Sequence, residues 1–125
     1  MSARSALICD DDRMIVRISR SILTQAGFRV LEAADGVAGL AMIRAERPHL
    51  VLLDLNMPLM GGVAVLTELQ KEGFTGSYII VLSGDDQASL ERQVKGLGAG
   101  EAISKPFAAM DFSRKIQALV RDGKV

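Results

Sequence analysis

Tryptophan is absent from these 125 residues, aromatic side chains make up only 4%, and there is one cysteine and one histidine. So few aromatics leave little material for the stacking platforms that hold single-stranded nucleic acid. The lone Cys9 closes no internal disulfide and reads as a small buried strand residue. His49 follows Pro48 at the entrance to an apolar run; with no second His or Cys beside it, it reads as a strand-edge residue, not a metal ligand. A surplus of one charge is also missing. Fifteen basic residues balance fifteen acidic ones, so no global field gathers DNA, RNA or an anionic membrane. No apolar run approaches the roughly 20 residues of a membrane helix. The N-terminal MSARSALICDDD has an apolar stretch too short for a signal peptide and meets acid where cleavage needs small residues. A cytoplasmic protein is the expectation.

What is present, 49% of it hydrophobic, suits one compact domain over residues 1–125. Short apolar runs alternate five times with longer segments of helical period. The runs are 6–9, 30–33, 50–53, 78–82 and, more weakly, 102–104. The first, third and fourth are continuously apolar, as in central strands covered on both faces. Between them, Ile15, Ile18, Ile22 and Leu23 share a helical face that Gly27 closes. Asp35 can cap the next helix, with Val37, Leu40 and Ile43 or Arg44 on its face and Pro48 at its end. Val65, Leu66 and Leu69 mark a third helix closed near Gly73. Leu90, Val94 and Leu97 mark a fourth, before the glycine-rich GLGAG. Phe112, Ile116, Leu119 and Val120 mark the last. Five such units with short connections predict a doubly wound α/β fold with a parallel sheet and helices on both faces. Ligands of such sheets bind at the carboxyl ends of the strands, beside the topological switch point.

The strands are greasy and their ends are not. The first ends at Asp10, Asp11 and Asp12, the third at Asp54, the fourth at Ser83 and the fifth at Lys105. Bringing Asp10, Asp11 and Asp54 within a few ångströms sets like charges together, which calls for a cation. Oxygen donors without His or Cys favour a hard divalent ion such as Mg²⁺, which keeps several waters and needs only two carboxylates and a carbonyl from the protein. Asp12 reads differently, as the N-cap of the first helix. A lysine and a hydroxyl facing a metal-bound carboxylate point to phosphoryl chemistry, with the carboxylate as nucleophile and the cations and hydroxyl holding the equatorial oxygens.

In ICDDD, LLDLNMP, VLSG and KPF, taken in that order, the sequence resembles the receiver domain of two-component response regulators over essentially its whole length. The resemblance implies a flavodoxin-like (βα)5 sheet of order 2-1-3-4-5. It casts Asp54 as the residue phosphorylated by a partner histidine kinase or histidine phosphotransfer protein. Asp11 and Asp54 would hold Mg²⁺ with the Asn56 main-chain carbonyl, and Asp10 would lie close by. Lys105 would pair with the phosphoryl group and Ser83 would hydrogen-bond to it after an inward loop shift. Lys105–Pro106 would be a cis peptide. Such a domain catalyses only its own phosphorylation and dephosphorylation and is no metabolic enzyme. It would signal to a downstream protein target as a monomer or weak dimer, through the face of helix four, strand five and helix five. No direct nucleic-acid or membrane contact is expected, and the chemotaxis-type single-domain regulator is the nearest pattern. Helix five is followed here by RDGKV, so the expectation is either a domain that acts alone through protein contacts or one that forms part of a longer chain.

Two positions depart from the family pattern. Ala102 stands where an aromatic residue commonly swings inward on activation, so a signal must travel by backbone and helix-four movement. Gly61 replaces a common aspartate and loosens the start of helix three. Asn56 and Asp85, each two residues past a key group, tune dephosphorylation in the family. Helix one, with Arg13, Met14, Val16 and Arg17, and the neighbouring strand-five loop are the expected docking surface for the kinase. Two rivals remain. One is a haloacid-dehalogenase-type phosphatase using Asp10-x-Asp12, which leaves LLDLNMP unexplained. The other is a receiver-like module that binds partners independently of phosphate.

Overall fold

The structure is a computed structural model and describes residues 4–125. Among the described residues the chain runs β1 (Ser5–Cys9), α1 (Arg13–Gln25), β2 (Arg29–Ala33), α2 (Gly36–Glu46), β3 (Leu50–Asp54), α3 (Gly62–Lys71), β4 (Tyr78–Ser83), α4 (Gln87–Val94), β5 (Glu101–Ser104) and α5 (Ala109–Arg121). All strand pairs are parallel and the order is β2-β1-β3-β4-β5, as expected of a flavodoxin-like sheet.

Alternation along the strands divides the core in two. Leu7, Cys9, Val51, Leu53, Ile79 and Val81 face α2, α3 and α4, where they meet Leu40, Ile43, Val65, Leu66, Leu69, Leu90 and Val94. Their neighbours Ala6, Ile8, Leu50, Leu52, Ile80 and Leu82 face α1 and α5 and pack on Leu23, Phe112, Ile116 and Leu119. This is why β1, β3 and β4 read as unbroken apolar runs: neither face meets water. Each Leu, Ile or Phe so buried contributes roughly 1.5–3 kcal/mol by leaving water. The outer strands differ. Arg29 and Glu32 of β2 are exposed and all four residues of β5 are half-buried.

The helix ends follow the sequence. Asp12 accepts from the N–H groups of Met14 (3.0 Å) and Ile15 (3.3 Å), and Asp35 accepts from Ala38 at 2.7 Å. Gly27 and Gly73 follow α1 and α3 at positive φ. The N–H of His49 donates to the Ser5 carbonyl and its Nδ1 accepts from the Ser5 N–H, so it continues the strand edge. Two expectations shift. Val37 is 54% exposed, because the buried stripe of α2 is Gly36, Gly39, Leu40 and Ile43. Leu97 lies beyond α4, which stops at Val94, and reaches the core from the following turn. Lys105–Pro106 is cis. No helix among the described residues is long and apolar enough to cross a membrane.

Candidate functional site

Parallel pairing decides which residues meet at the switch point. Cys9 sits opposite Leu53, so the next residues, Asp10 and Asp54, emerge side by side. Ser83 sits opposite Ser104, so Lys105 leaves β5 just past the end of β4. Asp10 is 2% and Asp54 3% exposed, whereas Asp11 points out toward solvent. One carboxylate oxygen from each of the three lies within 4.8 Å of the others. Adjacent ligands of an octahedral ion with bonds of about 2.1 Å are about 3.0 Å apart and opposite ones about 4.2 Å, so the three oxygens would draw together by up to about 1–2 Å to share one ion.

Lys105 is the cation already among these acids. Its Nζ is 2.9 Å from Asp10 Oδ2 and 3.6 Å from Asp54 Oδ1. Its own main-chain N–H is anchored on the Ser83 carbonyl at 2.7 Å. One ammonium against three carboxylates leaves about two negative charges unmatched. An all-oxygen set carrying that charge fits a hard divalent ion. Burial pushes the Asp54 carboxyl up to about 6, and Asp10 adds to the push. The Asn56 N–H, 3.2 Å from Asp54 Oδ1, and the Lys105 ammonium pull the other way. The Asp12 carboxylate is committed to the cap of α1, while its main-chain N–H donates to Asp10 Oδ1 at 2.9 Å.

Ser83 is fully buried at the end of β4. Its Oγ accepts from Asn56 Nδ2 (3.3 Å) and from the Asp85 N–H (3.2 Å), and donates to Asp85 Oδ2 at 3.2 Å. The hydroxyl proton is therefore committed to Asp85. Asp85 in turn accepts from Gln93 Nε2 at 2.8 Å. Sequence reasoning noted Asp85 but missed Gln87, Gln93 and Ser104, which join the same network; glutamines on an exposed helix look like ordinary solvated side chains.

Gly61 is the N-cap of α3 and provides no side-chain cap bond. Its neighbour Gly62 matters more for position. A Cβ there would lie 2.6 Å from the Asp54 carbonyl oxygen and 2.9 Å from Leu55 Cα, so only glycine lets α3 start this close to the acceptor strand. Cys9, below the acids, is held as a thiol: burial first, then Asp35, Asp10 and Asp54, push it up to about 12. A cavity of about 210 Å³ lies beside Asp10 and Asp11 and is walled by Arg13, Val16 and Glu32. Around it the Met14 side chain is 62% exposed and Arg13 and Arg17 face solvent.

Comparison with known proteins gives the same picture. Residues 6–117 match the family described as the response regulator receiver domain. The response regulator MprA of Mycobacterium ulcerans is 37% identical over 127 residues, covering 100% of this chain and 53% of that protein. The transcriptional regulatory protein KdpE of Mycobacterium tuberculosis is 35% identical over 115 residues, covering 92% of this chain and 50% of its own length. The chain thus spans about half the length of the curated relatives it matches. Among solved structures, a CheY-like response regulator receiver domain protein from Methanospirillum hungatei superposes with a TM-score of 0.84 at 30% identity, covering 97% of this chain and 96% of that one. With the acidic pair, the lysine and the hydroxyl on the four expected strand ends, the chain belongs to the receiver domain family of two-component response regulators.

Proposed function

We infer that this domain is a phosphorylatable switch that takes a phosphoryl group on Asp54 from a phosphohistidine of a histidine kinase or histidine phosphotransfer protein. The observation that carries this is the Lys105 ammonium seated between two buried carboxylates, Asp10 and Asp54. In the transfer, the P–N bond of the donor breaks and its electron pair stays on the imidazole. An Asp54 carboxylate oxygen forms the new P–O bond, giving an acyl phosphate. Mostly ionised at neutral pH, Asp54 is available as the nucleophile. Lys105 can swing its charge from Asp10 to the transferred group, and Ser83 can turn its proton toward it. Asp10, Asp11, Asp54 and the Asn56 main-chain carbonyl would hold Mg²⁺. The ion would neutralise charge on the phosphoryl oxygens in flight.

Residues 1–125 act in this reading as one unit. The output is a protein contact on the face of α4, β5 and α5, in a monomer or a weak dimer. The balanced charge of the domain supplies no attraction to nucleic acid. The word transcriptional in the name of KdpE describes that longer relative. Arg13 and Arg17 on α1 offer the partner an exposed basic row beside the acidic mouth. Incubation with acetyl phosphate and Mg²⁺ tests the reading. The expected result is a mass gain of one phosphate group, lost in Asp54→Ala. Absence of any gain in the parent protein overturns it in favour of a phosphate-independent binding module. Hydrolysis of a small phosphate monoester that survives Asp54→Asn but not Asp10→Asn overturns it in favour of a phosphatase.

A further inference from the structure

The outer edge of a parallel sheet leaves main-chain groups unpaired, and β5 is such an edge. Here a side chain takes the place of the missing strand. Gln87, the first residue of α4, donates from Nε2 to the Ala102 carbonyl at 2.7 Å and accepts at Oε1 from the Ser104 N–H at 3.1 Å. One carboxamide thus spans the carbonyl of one residue and the N–H two further on, as the N–H and C=O of one residue in an adjoining parallel strand would. The same short stretch of chain reaches the acidic site. Two residues before Gln87, Asp85 accepts the Ser83 hydroxyl and Gln93 Nε2 on one carboxylate oxygen, while its main-chain carbonyl accepts from Ser104 Oγ at 2.6 Å.

We propose that Gln87, Gln93, Asp85 and Ser104 form a polar latch that ties the Ser83 hydroxyl to the open edge of β5, so that loading Asp54 uncovers that edge. The proposal rests on the reading of Asp54 as phosphoacceptor. A serine hydroxyl has one proton. Donated to a phosphoryl oxygen on Asp54, it is withdrawn from Asp85, which then keeps only Gln93 on that oxygen. Residues 83–86 must move for the turn to occur, and Gln87 follows directly in the chain. Ala102 makes this route available. It puts no bulk between α4 and β5, and a cavity of about 450 Å³ runs there, lined by Glu91, Val94, Gly98, Gly100 and Ala102 among others. The space gives α4 room to shift without an aromatic rotamer.

Hydrogen exchange of the Ser104 amide tests the latch, read by NMR on the whole chain with and without Mg²⁺ and beryllofluoride. In the parent protein, loading should raise the Ser104 exchange rate roughly two- to tenfold, the range set by losing one main-chain hydrogen bond. In Gln87→Ala the amide should exchange fast in both states. In Gln93→Ala exchange should already be raised before loading. Both glutamines are exposed, so both variants retain the core. A parent protein that takes a phosphate from acetyl phosphate yet keeps Ser104 equally protected overturns the latch alone. One that never takes the phosphate overturns the acceptor reading beneath it.

Discussion

Asp54 shows how one side chain is set against its own fold. An unfolded carboxyl of this type titrates near 3.8, and burial holds the folded one at about 6. Its contribution to stability is therefore fully present below the lower value. It is lost as pH rises through the upper one, because the folded protein must carry a buried anion that water would otherwise solvate. In metal-free protein, Asp54→Asn should raise stability by roughly 1–3 kcal/mol at pH 7.5 and by no more than about 0.5 kcal/mol at pH 4. Denaturant titrations at the two pH values check this, and a gain of equal size at both would remove burial as the cause. The position of this residue was readable in LLDLNMP. The resting partner of Lys105 was not, since the expectation concerned only the phosphoryl group, and the resting lysine lies nearest Asp10. Nor was the direction of the Ser83 proton, which depends on an asparagine 27 residues away in the chain and on Asp85. Residue type tells what a group can do; its resting partner depends on distances that spacing does not encode.

Among the elements, legibility followed burial. Strands β1, β3 and β4 stood out because both faces are covered, and their ends fell within a residue of expectation. The weak fifth run is an edge strand, and its half-buried residues explain why its signal was faint. Helix α2 was found with Leu40 and Ile43 on its buried face, but Val37 was wrongly added to that face, because Gly36 and Gly39 were not counted as buried positions. Small residues carry no hydrophobic signal, yet they set how closely helices approach. That difference is testable at α2 and α3 together. Val37→Ala should change stability by less than about 0.5 kcal/mol, the usual range for exposed sites. Gly62→Ala should cost roughly 1–3 kcal/mol by driving a methyl into the Asp54 carbonyl and the Leu55 backbone. It should also weaken Mg²⁺ binding, since the displaced segment carries an acid of the cluster. Urea midpoints for the two variants decide the matter; a Gly62→Ala protein as stable as its parent would show that α3 yields and does not position the site.

For the whole molecule, the consequence lies in which parts of the chain the acidic site joins. Asp10 follows β1, Asp54 closes β3 and Lys105 leaves β5, so the cluster spans the middle and one side of a sheet whose two cores share those strands. From residues alone, central and outer strands could be separated, because β2 and β5 retain polar or half-exposed positions. The order itself came from the family resemblance, since local pattern does not say which outer strand lies on which side. A site assembled from three strands exists only when the sheet does. An ion that binds there is linked to global unfolding and not to a local loop. At a hundred times its dissociation constant, Mg²⁺ should stabilise the protein by about 2.7 kcal/mol. For a chain of this size that moves the melting midpoint up by roughly 10 °C in one transition. The shift should collapse in Asp54→Ala and shrink in Asp10→Asn, because each removes negative charge that Lys105 leaves unmatched. Calorimetry with Mg²⁺ and then with excess chelator measures it. An Asp54→Ala protein that keeps the full shift would mean the ion binds elsewhere on the surface, and the acids at the strand ends would need another reason to be together.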